Sequence, residues 1–282
     1  MINFMKLTYL GTAAAEGWPA LFCNCEYCVR AKELGGKNIR TRSQALINDD
    51  LLIDFPADTY NHMLKSRLDL SKAKYCFVTH SHIDHFEPTD LIMRMESCFA
   101  HNMSEPTLHI YGNKAVISRY KHFVHDTDEE DIPPSVTVNE IKAYDVTAAG
   151  KYTVTALPAF HAPKETPFVY LITDGEKTIL YLHDTGIPFD EVFEYLQKNA
   201  VKADLVSYDC TYVAIPSAGG HMGLDSVPAV RKRLEEIGVC NESTVHIVNH
   251  FSHNGMLLHD ELSEAAGKLG FLTSYDGMEV EI

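Results

Sequence analysis

His80, His82, Asp84 and His85 spell H-x-H-x-D-H directly after the apolar segment Tyr75 to Thr79. In an extended chain every second side chain faces the same way, so His80 and His82 can grip one ion together. Beyond them the chain turns towards the next helix, which can aim Asp84 and His85 at a second ion close by. Three neutral imidazoles with a carboxylate suit Zn, Mn or Fe better than Ca or Mg. The plain alternative is a set of solvated loop histidines. A second cluster is Cys23, Cys25 and Cys28, three of the seven cysteines within six residues. That spacing and the odd total point to metal ligation in a reducing compartment rather than to a disulfide framework, with free loop thiols as the alternative. A tetrahedral structural zinc requires a fourth ligand besides these three thiolates.

The elements that must position these groups can be read from hydrophobic periodicity and turn residues. A strand is expected at Lys6 to Leu10, then a Cys-containing loop. A hairpin of Ala45 to Asn48 and Leu51 to Asp54 turns at Asp49-Asp50, and Ala57 to Leu68 has helical spacing. The buried strand Tyr75 to Thr79 leads into the histidines, and a helix is expected to begin near Pro88. A strand at Leu108 to Tyr111 and a helix around Lys114 to Val124 follow. Strands dominate from Val136 to Asp184, with a hairpin of Val169 to Thr173 and Thr178 to Leu182 over Asp174-Gly175. Thereafter helix and strand alternate: Asp190 to Lys198, Leu205 to Tyr208, Val227 to Ile237, Thr244 to Val248 and Asp260 to Leu269. The richest turn segments are Gly35 to Asn38, Asp126 to Pro134 and Ser217 to Gly220. Two β-rich runs, each followed by helices, suggest an α+β fold of two sheets face to face with helices outside, a four-layer αββα sandwich. Periodicity alone supports α/β as well as α+β.

With 282 residues, 45% hydrophobic and 22% charged, the chain is expected to form one domain over residues 1–282. No stretch is long and apolar enough for a membrane span, and the first ten residues lack the order of a signal peptide, so a cytoplasmic location is expected by elimination. The formal net charge of −15 repels polyanions and argues against a nucleic-acid partner. Bound metal ions would reverse the field locally and still attract a small phosphate ester. A homodimer is the default expectation from the commonest symmetry.

Taken in order along the chain, these motifs resemble the metallo-β-lactamase superfamily. Its earlier strand-end Asp matches Asp54 in Leu-Leu-Ile-Asp, its isolated third-motif His matches His161, its bridging Asp matches Asp184 in Leu-His-Asp-Thr-Gly, and its last His matches His250. Singly, Asp54 reads equally well as a strand-end cap, His161 as a loop residue and Asp184 as a helix cap. The resemblance implies that His80, His82 and His161 hold one metal and Asp84, His85 and His250 the other, with Asp184 bridging. Asp54 would orient the histidine loop from behind.

Cys23, Cys25 and Cys28, in a Cys-rich zinc loop spanning residues 20–43, find their best fourth ligand in His253 of His-Phe-Ser-His-Asn. That arrangement resembles the branch holding the PhnP-like cyclic phosphodiesterases and the PqqB-like proteins of pyrroloquinoline quinone synthesis. Leu10-Gly11-Thr12, Asp209-Cys210-Thr211-Tyr212 and Tyr275-Asp276-Gly277-Met278 match it too. PhnP-like enzymes place a His after the Asp-Cys-Thr-Tyr strand, and His221 matches it. Its implied role is to steady the phosphate and protonate the leaving oxygen, against the reading of a plain loop histidine.

The resemblance therefore implies two divalent ions (Mn, Zn or Fe) in the active site, one structural Zn, and hydrolysis of a small cyclic or activated phosphodiester. A metal-bridging hydroxide would attack, with Asp84, Asp184 and His221 as the catalytic side chains. A PqqB-like metabolite-binding or accessory protein is the alternative, and a tRNase Z-like nuclease a further one. The run Arg30, Lys32, Lys37, Arg40 and Arg42 reads as a solvated loop or as a grip on substrate phosphate. The remaining histidines are expected at the surface or in packing, and Cys76, Cys98, Cys210 and Cys240 as small buried residues.

Overall fold

The computed structural model describes residues 4–96, 98–126, 134–217 and 219–282. The first sheet contains β1 (Lys6–Gly11), β2 (Gln44–Ile47), β3 (Leu51–Ile53), β4 (Tyr75–Phe77), β5 (Leu108–Gly112), β6 (Val136–Glu140) and β14 (Met278–Glu281), in the order β14-β1-β2-β3-β4-β5-β6. The second contains β7 (Val146–Ala149), β8 (Tyr152–Pro158), β9 (Phe168–Thr173), β10 (Thr178–Leu182), β11 (Leu205–Asp209), β12 (Val245–Asn249) and β13 (Leu272–Thr273), in the order β13-β12-β11-β10-β9-β8-β7. The described residues also form six α-helices, α1 (Glu26–Leu34), α2 (Thr59–Ser66), α3 (Lys114–His125), α4 (Asp190–Lys198), α5 (Val227–Glu236) and α6 (His259–Lys268), and short 3-10 helices.

Strands buried on both faces should read as unbroken apolar runs, and Thr178–Leu182 shows why. Ile179 and Tyr181 enter the core between the sheets, where they meet Leu7, Tyr9 and Phe77 of the first sheet. Leu180 and Leu182 point the other way, into a core with Val192 and Phe193 of α4, Val230 of α5 and Leu262 of α6. On the far side of the first sheet, Leu52, Cys76 and Ile110 pack against Val116 and Tyr120 of α3. Three apolar interfaces separate four layers, the αββα sandwich expected for this α+β chain.

β3 and β4 run parallel, as do β10, β11 and β12. Their C-terminal ends therefore open on the same sides of their sheets, where loops can converge on a ligand. Asp54, His80, Asp184 and His250 all lie just beyond such ends.

Several sequence expectations change. Pro88–Arg94 is a 3-10 helix rather than an α-helix, with Glu87 accepting the Thr89 N–H. The Cys-containing loop holds α1, whose Cys28 and Ala31 face the core at the i, i+3 spacing that thiol chemistry had overshadowed. Cys98 is exposed rather than buried, because it follows that 3-10 helix onto the surface. The closing strand Met278–Glu281 pairs with β1 at the sheet edge. The turn expected at Asp126 to Pro134 falls largely outside the described residues, as does one position of that at Ser217 to Gly220. No helix among the described residues is long and apolar enough to cross a membrane.

β1 ends where the backbone of Gly11 passes very close to its neighbours. A Cβ there would stand 1.9 Å from Arg42 O and 2.9 Å from His62 Nε2. Backbone cannot yield cheaply, so Gly11→Ala is expected to cost about 3 kcal/mol in urea unfolding, the upper range for overpacking. An unchanged midpoint would mean that this close approach is not part of the folded state.

Candidate metal centre

A cleft of about 340 Å³ is lined by His82, Asp84, His161, Asp184, His221 and His250, with Tyr212, Asn254 and Glu16 on its rim. Within it the histidine nitrogens converge. His80 Nε2 and His82 Nδ1 stand 2.8 Å apart, and His161 Nε2 is 3.4 Å from the same His82 nitrogen. His85 Nε2 lies 3.2 Å from Asp84 Oδ2. Asp184 spans the two groups: its Oδ2 is 2.7 Å from His85 Nε2, 3.4 Å from His80 Nε2 and 3.6 Å from His250 Nε2, while its Oδ1 is 3.6 Å from His161 Nε2. The groups His80, His82, His161 and Asp84, His85, Asp184, His250 could each hold an ion.

Side chains behind the cleft decide which nitrogen faces it. Asp54 accepts the Thr79 N–H at 2.7 Å and the Thr79 hydroxyl at 2.9 Å, leaving Oδ2 to accept the His85 Nδ1–H at 2.7 Å. A carboxylate can only accept, so the proton sits on Nδ1 and the lone pair of Nε2 points to the cleft. His250 Nδ1 meets the Thr211 hydroxyl at 2.8 Å; that hydroxyl donates to Asp209 Oδ2 at 3.1 Å and so accepts from the ring, which leaves Nε2 facing the cleft. Asp54, Asp184 and His250 take positive φ values of 67°, 53° and 65°. Non-glycine residues rarely do so, and here the turn beyond each strand aims a side chain inward.

Charge is the most demanding feature. Asp54, Asp84, Asp184 and Asp209 are all buried, and among the described residues no lysine or arginine pairs with any of them. Isolated buried carboxylates are costly, so compensation must come from the histidines or from cations. Although burial opposes it, Asp54, Asp84 and Asp184 push the pKa of His85 well up, favouring a positive charge at its Nε2 that a bound cation would supply in place of a proton. His80 is pulled well down by burial and by neighbouring His85, and His161 down by burial, which keeps both neutral with lone pairs free. His85 Nε2, Asp184 Oδ1 and His250 Nε2 are buried without a hydrogen-bond partner. Orphaned lone pairs aimed at one another, beside excess negative charge, fit a pair of divalent cations.

His221 lies at the cleft edge. Its Nδ1 is 3.1 Å from Asp209 Oδ2, 3.2 Å from the Thr211 hydroxyl and 3.3 Å from Asp184 Oδ1. Burial acts to lower its pKa, but Asp209 and Asp184 outweigh it and raise it to about 9. The loop reaches this position because Gly220 lies flat on His161: a Cβ there would be 2.9 Å from His161 Nδ1.

The thiol cluster forms a separate group. Cys23, Cys25, Cys28 and His253 offer ligand atoms all within 4.8 Å of one another. His253 Nδ1 is 3.4 Å from Cys25 Sγ and 3.8 Å from Cys23 Sγ. Burial opposes ionisation of Cys25, yet the Cys28 N–H and His253 lower it to about 6, which favours the thiolate that a zinc needs. Glu16, whose Oε1 is 3.8 Å from His253 Nε2, also accepts the Ser252 hydroxyl, tying the turn after His250 to the N-terminal segment.

The basic run does not enter the cleft. Arg40 is buried and donates to Thr12 Oγ1 and Ser274 O, Arg42 pairs with Asp58, Arg30 with Glu261, and Lys37 stands over the Tyr275 ring. Two residues had no assigned role from sequence. Asp209 holds His221 and accepts the N–H groups of Thr211 and Met222. Glu165 accepts from Ser81 N–H, Ser81 Oγ and Asn113 Nδ2, clamping the loop of His80 and His82 to the segment after His161. Asp209 was visible as part of a strand-end motif; nothing local marks Glu165, whose partners are distant in the chain.

A family described as "Beta-lactamase superfamily domain" matches residues 50–247. Coenzyme PQQ synthesis protein B of Acinetobacter baylyi is 24% identical over 324 aligned positions, covering 99% of this chain and 100% of that protein. Among solved structures, a diphosphatase from the PhnP family superposes with a TM-score of 0.77 at 20% identity, covering 100% of this chain and 98% of the other. Zn(2+)-bound PqqB from Methylobacterium extorquens gives 0.73 at 17% identity, covering 98% and 100%.

Replacing Asp54 by Asn sets an amide N–H against the His85 Nδ1–H or, in the other flip, against the Thr79 N–H. Metal affinity, measured by chelator competition, is expected to fall about 10- to 100-fold with the fold retained. Wild-type affinity in Asp54→Asn would show that His85 is not oriented for a cation.

Proposed function

The chain belongs to the beta-lactamase superfamily, and on that footing we propose that it is a dinuclear metal-dependent hydrolase acting on a small cyclic or activated phosphodiester. The observation that carries this reading is Asp184, whose two oxygens meet both histidine groups, Oδ2 at 2.7 Å from His85 and Oδ1 at 3.6 Å from His161. Likeness to a diphosphatase from the PhnP family over the whole chain supports phosphate chemistry.

His80, His82 and His161 would hold one ion, Asp84, His85 and His250 the other, and Asp184 would be common to both. Two such ions supply a water whose pKa falls from about 15.7 towards 7, together with positive charge for the phosphoryl oxygens. The chain's own residues do the rest. Asp54 and Thr211 hold His85 and His250 in the tautomers that keep Nε2 free. Asp209 holds the Nδ1 proton of His221 at 3.1 Å and favours the charged form of that imidazole. His221 can then give its Nε2 proton to the departing alkoxide, with Asp209 stabilising the charge until it leaves. Cys23, Cys25, Cys28 and His253 would hold a structural zinc that anchors the turn bearing His250.

A second reading has its own support in the likeness to coenzyme PQQ synthesis protein B along nearly the full length of both chains. On that reading the same cleft binds a small metabolite without turning over phosphodiesters.

Asp184→Ala is expected to reduce metal-dependent hydrolysis of bis(p-nitrophenyl) phosphate by at least about 1,000-fold. Undiminished turnover would sink the hydrolase reading, and metal-loaded protein inert across a phosphodiester panel would favour the metabolite-binding one. His221→Ala is expected to cost about 100-fold on an alkyl diester and much less on the p-nitrophenyl ester, whose leaving group needs no proton. Equal losses on both would remove His221 from the acid role while leaving the metal reading intact.

A further inference from the structure

A cavity of about 680 Å³, larger than the cleft, lies on the outer face of the first sheet and is lined by none of the proposed metal ligands. Its size falls within the roughly 300–1,000 Å³ of small-molecule sites. Leu52 of β3 and Leu108 of β5 contribute to its lining, with Phe55, Met63 of α2, and Leu91 and Met93 of the 3-10 helix. Apolar lining of this extent is poorly satisfied by water and suits a hydrocarbon body.

Thr59, Ser71, Asp90 and His101 give the lining some polar groups, and Arg94 gives it a guanidinium. Arg94 is half-buried at the cavity, and its Nη2 donates to Glu105 O at 2.9 Å. Its Nε is buried without an acceptor and closed to the cavity, so a ligand there can reach only the rest of the guanidinium, and among the described residues no carboxylate comes within ion-pair distance of Arg94. A guanidinium is charged at any ordinary pH and is best satisfied by a carboxylate or phosphate oxygen. Asp90 also lines the cavity without pairing with Arg94, and a second negative charge on a ligand would meet it unfavourably. The net charge of −15 disfavours binding anions in general, so a single charge anchored on one guanidinium is the affordable case.

We propose that this cavity is a second ligand site, separate from the metal cleft, for an amphipathic monocarboxylate whose alkyl body lies along Leu52, Leu108 and Phe55 while its head group meets Arg94. This proposal does not rest on the hydrolase reading.

Decanoate and decanol serve as probes in calorimetric titrations of the full metal-loaded chain. Decanoate is expected to bind the native chain more tightly than decanol. Arg94→Met, which keeps the apolar volume, is expected to weaken decanoate about tenfold or more and to change decanol by less than about threefold. Met63→Trp, which fills the cavity, is expected to weaken both. Decanoate binding unchanged in Arg94→Met would put the ligand elsewhere, the metal cleft included, and would overturn the proposal. So would no decanoate binding by the native chain up to about 1 mM. Should Arg94→Met fail to fold by circular dichroism, Met63→Trp decides: retained decanoate binding in that variant also overturns it.

Discussion

Four aspartates, Asp54, Asp84, Asp184 and Asp209, are taken out of water with no lysine or arginine to meet them among the described residues. Such charges are tolerated only where other groups balance them, and the groups gathered here are histidines. Imidazole answers a carboxylate in two ways, by donating from one nitrogen and by sharing a cation through the other. Asp54 and Asp209 use the first, each facing a ring Nδ1. Asp84 and Asp184 face the nitrogens that look inward, where the second becomes available.

That arrangement also explains features of the fold that packing alone does not require. Left-handed backbone at Asp54, Asp184 and His250 is unfavourable for residues with a Cβ, and it recurs where a strand must hand over to an inward-facing side chain. Cross-sheet bonds hold the histidine loop in place: the Tyr170 hydroxyl donates to Val78 O, and the Phe168 N–H donates to Thr79 O. These connect the second sheet to the end of β4, so the two halves of the proposed dinuclear site are braced against each other.

The Cys-rich segment acts at longer range. His253 follows His250 in one turn, and that turn is gripped by the N-terminal segment through Ala14 N–H to Phe251 O and Phe251 N–H to Thr12 O. A zinc held by three thiolates and His253 would lock residues over two hundred positions apart to the strand end that presents His250. On this view the zinc would be mechanical, stabilising the geometry of a site whose chemistry lies elsewhere.

The H-x-H-x-D-H segment, the strand-end aspartates and the layered sheets were legible because they rest on local rules: side-chain alternation, apolar runs for strands covered on both faces, and ligand types that water does not require. Cys23, Cys25 and Cys28 announced themselves by composition, although the same emphasis hid the helix that begins one residue after Cys25. What only the tertiary structure decided depends on groups brought together from far apart. The roles of Asp209 towards His221 and of Glu165 towards Ser81, the withdrawal of Arg40 into a buried network with Thr12 and Ser274, and the position of Arg94 at an apolar cavity leave no periodic trace. Periodicity records which face of an element is buried, whereas the partner a polar group finds once buried is set by how the layers stack.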